Sequence, residues 1–177
     1  MRLKLTWVTL MGAAIMMAAP YAKPVLATPA VGFVGTTLAL GRFGDINAFN
    51  HTIPAGFWKS RHESDVWLSL QKTKGPSDLY VQSNVWQPGG STGWHTHPGH
   101  SLITVTAGTI TAYEGDDRRC KPHVYTQGMG FVDAGGDHVH NIRNEDASIE
   151  ARTIVVQLIP ADAMRRIDAV DPGNCTF

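Results

Sequence analysis

The alternation of apolar and polar positions divides the chain into three stretches. Arg2 and Lys4 precede an apolar run over residues 5–19, which Pro20 closes. A basic start, an apolar middle and small residues after it have the layout of a secretory signal peptide. Val25-Leu26-Ala27 puts small or aliphatic residues where a signal peptidase cuts. Residues 1–27 are therefore expected to be a signal peptide cleaved after Ala27, with Ala22 as the alternative site. The run is short for the ~20 residues that span a bilayer, and no later stretch suits a span. Residues 28–64 scatter Pro29, Gly32, Gly35, Gly41, Gly44, Pro54 and Gly56 among aromatics with no clean period. They read as an extended N-terminal arm with at most one or two short strands.

From Asp65 to the end, residues 65–177, the pattern is that of a folded β domain with a C-terminal tail. Val66, Leu68 and Leu70 alternate with Trp67, Ser69 and Gln71, a period-two strand signal. Gly75-Pro76-Ser77-Asp78 reads as a turn. A second strand follows over residues 79–86, closed by Pro88-Gly89-Gly90, and residues 94–97 form a short strand or extended turn. Residues 102–106 and 109–113 are β-branched runs separated by Ala107-Gly108, the signature of a hairpin. Further strands are expected at 124–126, 130–132, 138–142 and 149–158, and residues 161–166 suit one or two helical turns. Many short strands with glycine-rich turns predict an all-β, antiparallel sandwich or barrel.

Composition narrows the function classes. Of 177 residues 43% are hydrophobic, which excludes a disordered chain. Fifteen basic residues balance fifteen acidic ones with no basic stripe, which argues against nucleic-acid binding. Cleavage after Ala27 would remove Arg2, Lys4 and Lys23 and no acid, leaving a mildly acidic domain. Such a protein is exported, periplasmic or secreted, and free of the membrane after cleavage. In that compartment Cys120 and Cys175 pair most simply as one disulfide. Free thiols or metal ligation are the rival readings, although neither cysteine belongs to a Cys-x-x-Cys pair.

Six of the eight histidines fall between positions 95 and 140. His95-Thr96-His97 places two imidazoles on one face of an extended strand, and His138-Val139-His140 repeats the spacing on a distant one. If the sheet closes on itself, the pairs face each other and can chelate one ion. Trp94 has the opposite parity to the histidines and is expected to pack away from that ion. Trp67 and Trp86 are expected in the core, Tyr113, Tyr125 and Phe131 stand as pocket-mouth candidates, and Glu114, Asp116 and Asp117 read as a solvated turn. His51, His62 and His123 receive no role.

Residues 89–108 read GGSTGWHTHPGHSLITVTAG. This stretch resembles the first motif of the cupin superfamily, with Gly89, His95, His97 and Gly108 in register. Residues 128–144 resemble the second motif, with His140 followed by Asn144 at the family's spacing. The resemblance covers roughly residues 80–160. It implies a small jelly-roll β-barrel holding one divalent metal on His95, His97 and His140, and it admits a homodimer. This chain departs from the family pattern twice. The usual glutamate ligand falls at Ser101, so His100 or His138 becomes the candidate fourth ligand. Ala134 replaces a common proline, and the Gly135-Gly136-Asp137 turn is one residue longer than the family's usual one. Imidazole ligands accept Fe, Zn, Mn, Cu or Ni without choosing among them. The resemblance implies a metal-dependent enzyme, oxygenase or isomerase in type, acting on a small organic molecule. The alternative is a non-catalytic module that binds or senses a small molecule or sugar in the same pocket.

Overall fold

The computed structural model describes residues 27–52 and 67–177. The expected signal peptide up to Leu26, and His62, lie outside the described residues. The described residues fold into twelve strands: β1 (Val31–Phe43), β2 (Asn47–Thr52), β3 (Trp67–Lys72), β4 (Ser77–Ser91), β5 (His95–Thr96), β6 (Ser101–Ala107), β7 (Thr109–Glu114), β8 (His123–Thr126), β9 (Gly130–Asp133), β10 (His140–Arg143), β11 (Ala151–Pro160) and β12 (Ile167–Asp168). All pairings are antiparallel. One face runs β1-β4-β11-β6-β9, and the facing one runs β8-β7-β10-β5-β12. They join where Arg143 of β10 pairs with Ser91 at the end of β4, giving a nearly closed jelly-roll barrel. The ribbon of β2 and β3 forms a separate two-stranded sheet.

Alternation along two central strands sets what fills the barrel. In β6, Ser101, Ile103 and Val105 are buried while Leu102, Thr104 and Thr106 are exposed. In β11, Ala151, Thr153, Val155 and Gln157 are buried. These side chains grade along the strands from apolar to polar. Trp86, Val105, Ile110, Ala112, Ile142 and Ala151 form the apolar core, with Phe33 packed on Trp86 at 4.9 Å between ring centroids. Ser101 and Gln157 join the histidines around a cavity.

Several local expectations give way to tertiary structure. Residues 102–106 and 109–113 do not form a hairpin: β6 pairs with β11 and β9, whereas β7 pairs with β10 and β8. Gly108 lets the chain cross between the two faces. It has φ +68°, and a Cβ there would lie 2.9 Å from the Ala151 Cα. Ser77 and Asp78 belong to β4, not to a turn. Asp78 is buried and accepts a bidentate pair of 2.8 Å bonds from Arg42 of β1, which holds it in the sheet. β4 also runs on through Pro88-Gly89-Gly90 to Ser91. β1 spans thirteen residues and pairs with β4 along its length, although only short strands were expected there. Both its faces are largely exposed, so it shows no period of apolar positions to read. Residues 161–166 form turns with no helix, and Asp162 takes a φ of 62°.

Asn144 pins the closing loop. It is fully buried, and its amide donates to the carbonyl oxygens of Ile149 (2.7 Å), Gln87 (3.2 Å) and Trp86 (3.3 Å). Its own oxygen accepts from Asp146 N–H at 3.1 Å. Asn144→Ala strands these groups out of water and is expected to cost about 2–3 kcal/mol in urea unfolding. A loss below about 0.5 kcal/mol would show that the loop is held by other means.

Candidate metal centre

Three histidines that are far apart in sequence meet inside the barrel. His95 of β5 and His140 of β10 are direct cross-strand partners. Their ring centroids lie 4.3 Å apart, with His97 at 4.9 Å from His95 and 5.5 Å from His140. One ligand atom from each ring lies within 4.8 Å of the others, close enough to share one ion. His95 and His140 are buried, and His97 is partly so.

Backbone contacts orient the rings. Gly93 turns the chain with φ +67°, and its carbonyl oxygen accepts a bond from His95 Nδ1 at 2.9 Å. The Arg165 carbonyl oxygen accepts from His97 Nδ1 at 2.5 Å. Each bond fixes the Nδ1–H tautomer and leaves Nε2 with its lone pair free to ligate. His140 Nε2 is buried and has no hydrogen-bond partner. Buried polar nitrogens are seldom left unpaired, so this orphaned atom, beside two imidazoles with free Nε2 lone pairs, fits a metal ion.

The rings are held in their ligating, neutral form. Burial, reinforced by His140, Arg166 and His97, pushes His95 down to about 2. Burial pushes His140 down to about 4, against the raising effect of Asp133. In the unfolded chain both protonate near pH 6.5. Below that pH the unfolded state binds more protons than the folded one, so stability falls as the pH drops from about 6.5 toward 4. Each ring contributes a slope of up to about 1.4 kcal/mol per pH unit. The urea midpoint of metal-free protein is thus expected to fall between pH 7.5 and 5, and His95→Gln should flatten that fall. An unchanged midpoint across this range would contradict the burial account.

The other sequence candidates lie elsewhere. His100 lines a separate hollow with Lys74, Leu158 and Pro160, and β6 meets its neighbours around Ser101 without the bulge that would swing His100 inward. His138 precedes β10, is exposed, and lines a second hollow with Glu114, Tyr125, Asp133 and His140, but its ring is not among the converging ligand atoms. The second His-x-His therefore contributes one ring to the centre, because the strand begins only at His140. Trp94 is buried against Tyr113 and Cys175, facing away from the histidines as its parity predicts. Tyr113 donates to Glu145 at 2.5 Å, away from the cavity. Cys120 and Cys175 form a disulfide, and their Cα atoms are 5.2 Å apart.

Three residues that sequence reasoning missed border the histidines. Asp133, at the end of β9, has its side chain buried and places Oδ2 3.4 Å from His97 Nε2 and Oδ1 3.5 Å from His140 Nδ1. Its signal was the alternation of β9, which turns Phe131 and Asp133 inward. Arg165 and Arg166 line the same cavity from the segment after β11. The Arg165 guanidinium donates to Gln157 (3.1 Å), to Thr37 (2.8 Å) and to Gln82, and lies 4.0 Å above the Tyr80 ring. Arg166 pairs with Asp168 and donates to the Thr92 carbonyl oxygen at 2.7 Å. The cavity they enclose measures about 240 Å³ and also meets Trp86, Ser101 and Ile103.

Comparison with known proteins gives a family match and several structural similarities. Residues 84–157 match the family described as cupin domain (Cupin_2). Among solved structures, the polyketide cyclase RemF from Streptomyces resistomycificus is similar at 17% identity, covering 89% of this chain and 90% of its own, with a TM-score of 0.49. A cupin-like protein from Thermotoga maritima is similar at 20% identity over 52% of this chain and 65% of its own, with a TM-score of 0.43. A cupin superfamily protein from Desulfitobacterium hafniense shares 14% identity over 46% of this chain and 67% of its own, with a TM-score of 0.40. No curated protein matches the chain. The family match over residues 84–157, inside an all-β jelly-roll barrel where three histidines converge, identifies a cupin-type domain in this chain.

Proposed function

We propose that this protein is a metal-dependent enzyme, oxygenase or isomerase in type, acting on a small organic anion. The observation that carries the reading is the convergence of His95, His97 and His140, with His140 Nε2 buried and unpartnered. His95, His97 and His140 would hold a divalent ion, which would supply Lewis-acid chemistry at a substrate oxygen. The chain's own residues do the rest. The Gly93 and Arg165 carbonyl oxygens hold two rings in the ligating tautomer. Trp86, Ile103 and Ile142 wall the cavity with apolar surface and exclude water. Arg165 and Arg166 line the same cavity and supply positive charge there, from which a carboxylate or enolate gains charge-assisted hydrogen bonds. Because the His97 ring hangs on the Arg165 carbonyl oxygen, the segment that carries the charge also sets one ligand.

The residues before the barrel support export. Residues 1–27 have the signal-peptide layout, and the Cys120–Cys175 disulfide suits an oxidising compartment. Among the described residues no helix is long and apolar enough to cross a membrane.

The test is turnover by metal-loaded protein across matched pairs of organic acids and their neutral amides or esters. Conversion that needs the metal and prefers the anions supports the reading. Arg165→Met is then expected to raise KM for anions about 10- to 100-fold, the effect of losing one charge-assisted contact. Tight binding of a ligand with no conversion would instead make the protein a binding module.

A further inference from the structure

We infer that Asp133 supplies, from β9, the carboxylate ligand that this chain lacks on β6. The inference rests on the reading that the three histidines hold an ion. Ser101 stands where the family's first motif usually carries glutamate, and its hydroxyl cannot replace an anionic ligand. Ser101 lines the cavity, is almost fully buried, and its Oγ has no hydrogen-bond partner. The β6–β9 register puts Asp133 directly opposite Ser101. Side chains of opposed residues on neighbouring strands project to the same face. A carboxylate moved from β6 to its cross-strand partner therefore still reaches the cavity.

The carboxylate stands beside two of the three rings, His97 and His140. Asp133 Oδ1 accepts the Gly135 N–H at 2.9 Å, which anchors the carboxylate and starts the Gly135-Gly136-Asp137 turn. Its Oδ2 stands 3.4 Å from His97 Nε2, the nitrogen left free by the bond to Arg165. Two donor atoms each ~2.1 Å from one ion lie about 3.0–3.4 Å apart in octahedral or tetrahedral arrangements. Three neutral imidazoles leave the ion's charge unbalanced in a buried site, and one carboxylate offsets half of it. A histidine–carboxylate set also shifts preference toward Fe(II) and Mn(II) relative to histidine alone. The longer second-motif turn and the missing glutamate thus become one change: the turn that follows Asp133 holds the replacement ligand in place.

The test titrates Mn(II), Zn(II) and Co(II) into metal-free, untagged protein, with the visible spectrum of Co(II) as a signature of its ligands. Asp133→Asn retains an oxygen acceptor for Gly135 N–H, so a purely structural role survives it. The expected result is an Asp133→Asn protein of wild-type thermal stability whose Mn(II) affinity falls at least about tenfold. Zn(II) affinity falls less, and the Co(II) spectrum changes. Adding Ser101→Glu to Asp133→Asn returns the carboxylate to β6 and restores Mn(II) affinity to within about tenfold of wild type. Unchanged Mn(II) affinity and an unchanged Co(II) spectrum in Asp133→Asn would overturn the inference. Histidine-dependent binding by wild type that ignores Asp133 refutes this inference alone. Absence of binding by wild type, or binding that survives loss of the histidines, refutes the triad and the inference with it.

Discussion

The double variant His95→Ala/His140→Ala is expected to lose equimolar metal binding altogether. These rings are cross-strand partners with centroids 4.3 Å apart, so removing both takes away two of the three converging imidazoles. Loss of a group that merely orients a ligand costs metal affinity about 10- to 100-fold. Loss of two ligands is expected to exceed that, to at least about 1,000-fold. The barrel should survive, because the apolar core of Trp86, Val105, Ile110, Ala112, Ile142 and Ala151 includes neither ring. Both rings are buried in their neutral form at a desolvation cost, so the metal-free double variant is expected to unfold at no lower urea concentration than metal-free wild type at pH 6. The measurement is metal content by elemental analysis after dialysis, paired with urea unfolding. Equimolar metal in the variant would place the ion elsewhere.

The second large effect concerns stability. Cys175→Ser, or reduction of the native protein, is expected to cost about 4 kcal/mol. The Cys120–Cys175 bridge closes a loop with a sequence separation of 55, and a loop of that size lowers the entropy of the unfolded chain by about that amount. Its anchoring in the folded state adds to the effect. Cys175 is buried with Trp94 and Tyr113. Phe177 packs on Tyr113 at 4.9 Å between ring centroids, and Arg143 lies 4.2 Å over the Phe177 ring. Trp94 neighbours His95 in the chain, so the C-terminal tail braces the strand that carries the first ligand. Urea unfolding with and without reductant measures the effect. A difference below about 1 kcal/mol would mean that the tail is held by packing alone.

How much of this was legible in the sequence depended on whether the information was local. Period two marked β3, a β-branched run marked β6, and the His-x-His motif marked β5, because each signal lies within one strand. The hairpin expected at Ala107-Gly108 failed because a glycine turn looks alike whether the flanking strands pair with each other or diverge to different faces. Only the path past Ala151 decides that. β1 was hidden because a strand exposed on both faces has no apolar side to announce it. At the site, His95, His97 and His140 could be named from spacing and motif, since metal ligands are few in type. Asp133 could not, because its meaning comes from its β6 partner Ser101, over thirty residues away. Arg165 and Arg166 were hidden in the same way: they reach the cavity from a turn that the sequence suggested was helical.

The central claim is that one divalent ion sits on His95, His97 and His140, and X-ray absorption at the metal edge of untagged, metal-loaded protein tests it most directly. The account predicts one ion per chain and the scattering pattern of three imidazole rings, with nitrogen at about 2.0–2.1 Å if the ion is zinc and no sulfur neighbour. A shell with one imidazole or none, or with sulfur, would contradict it.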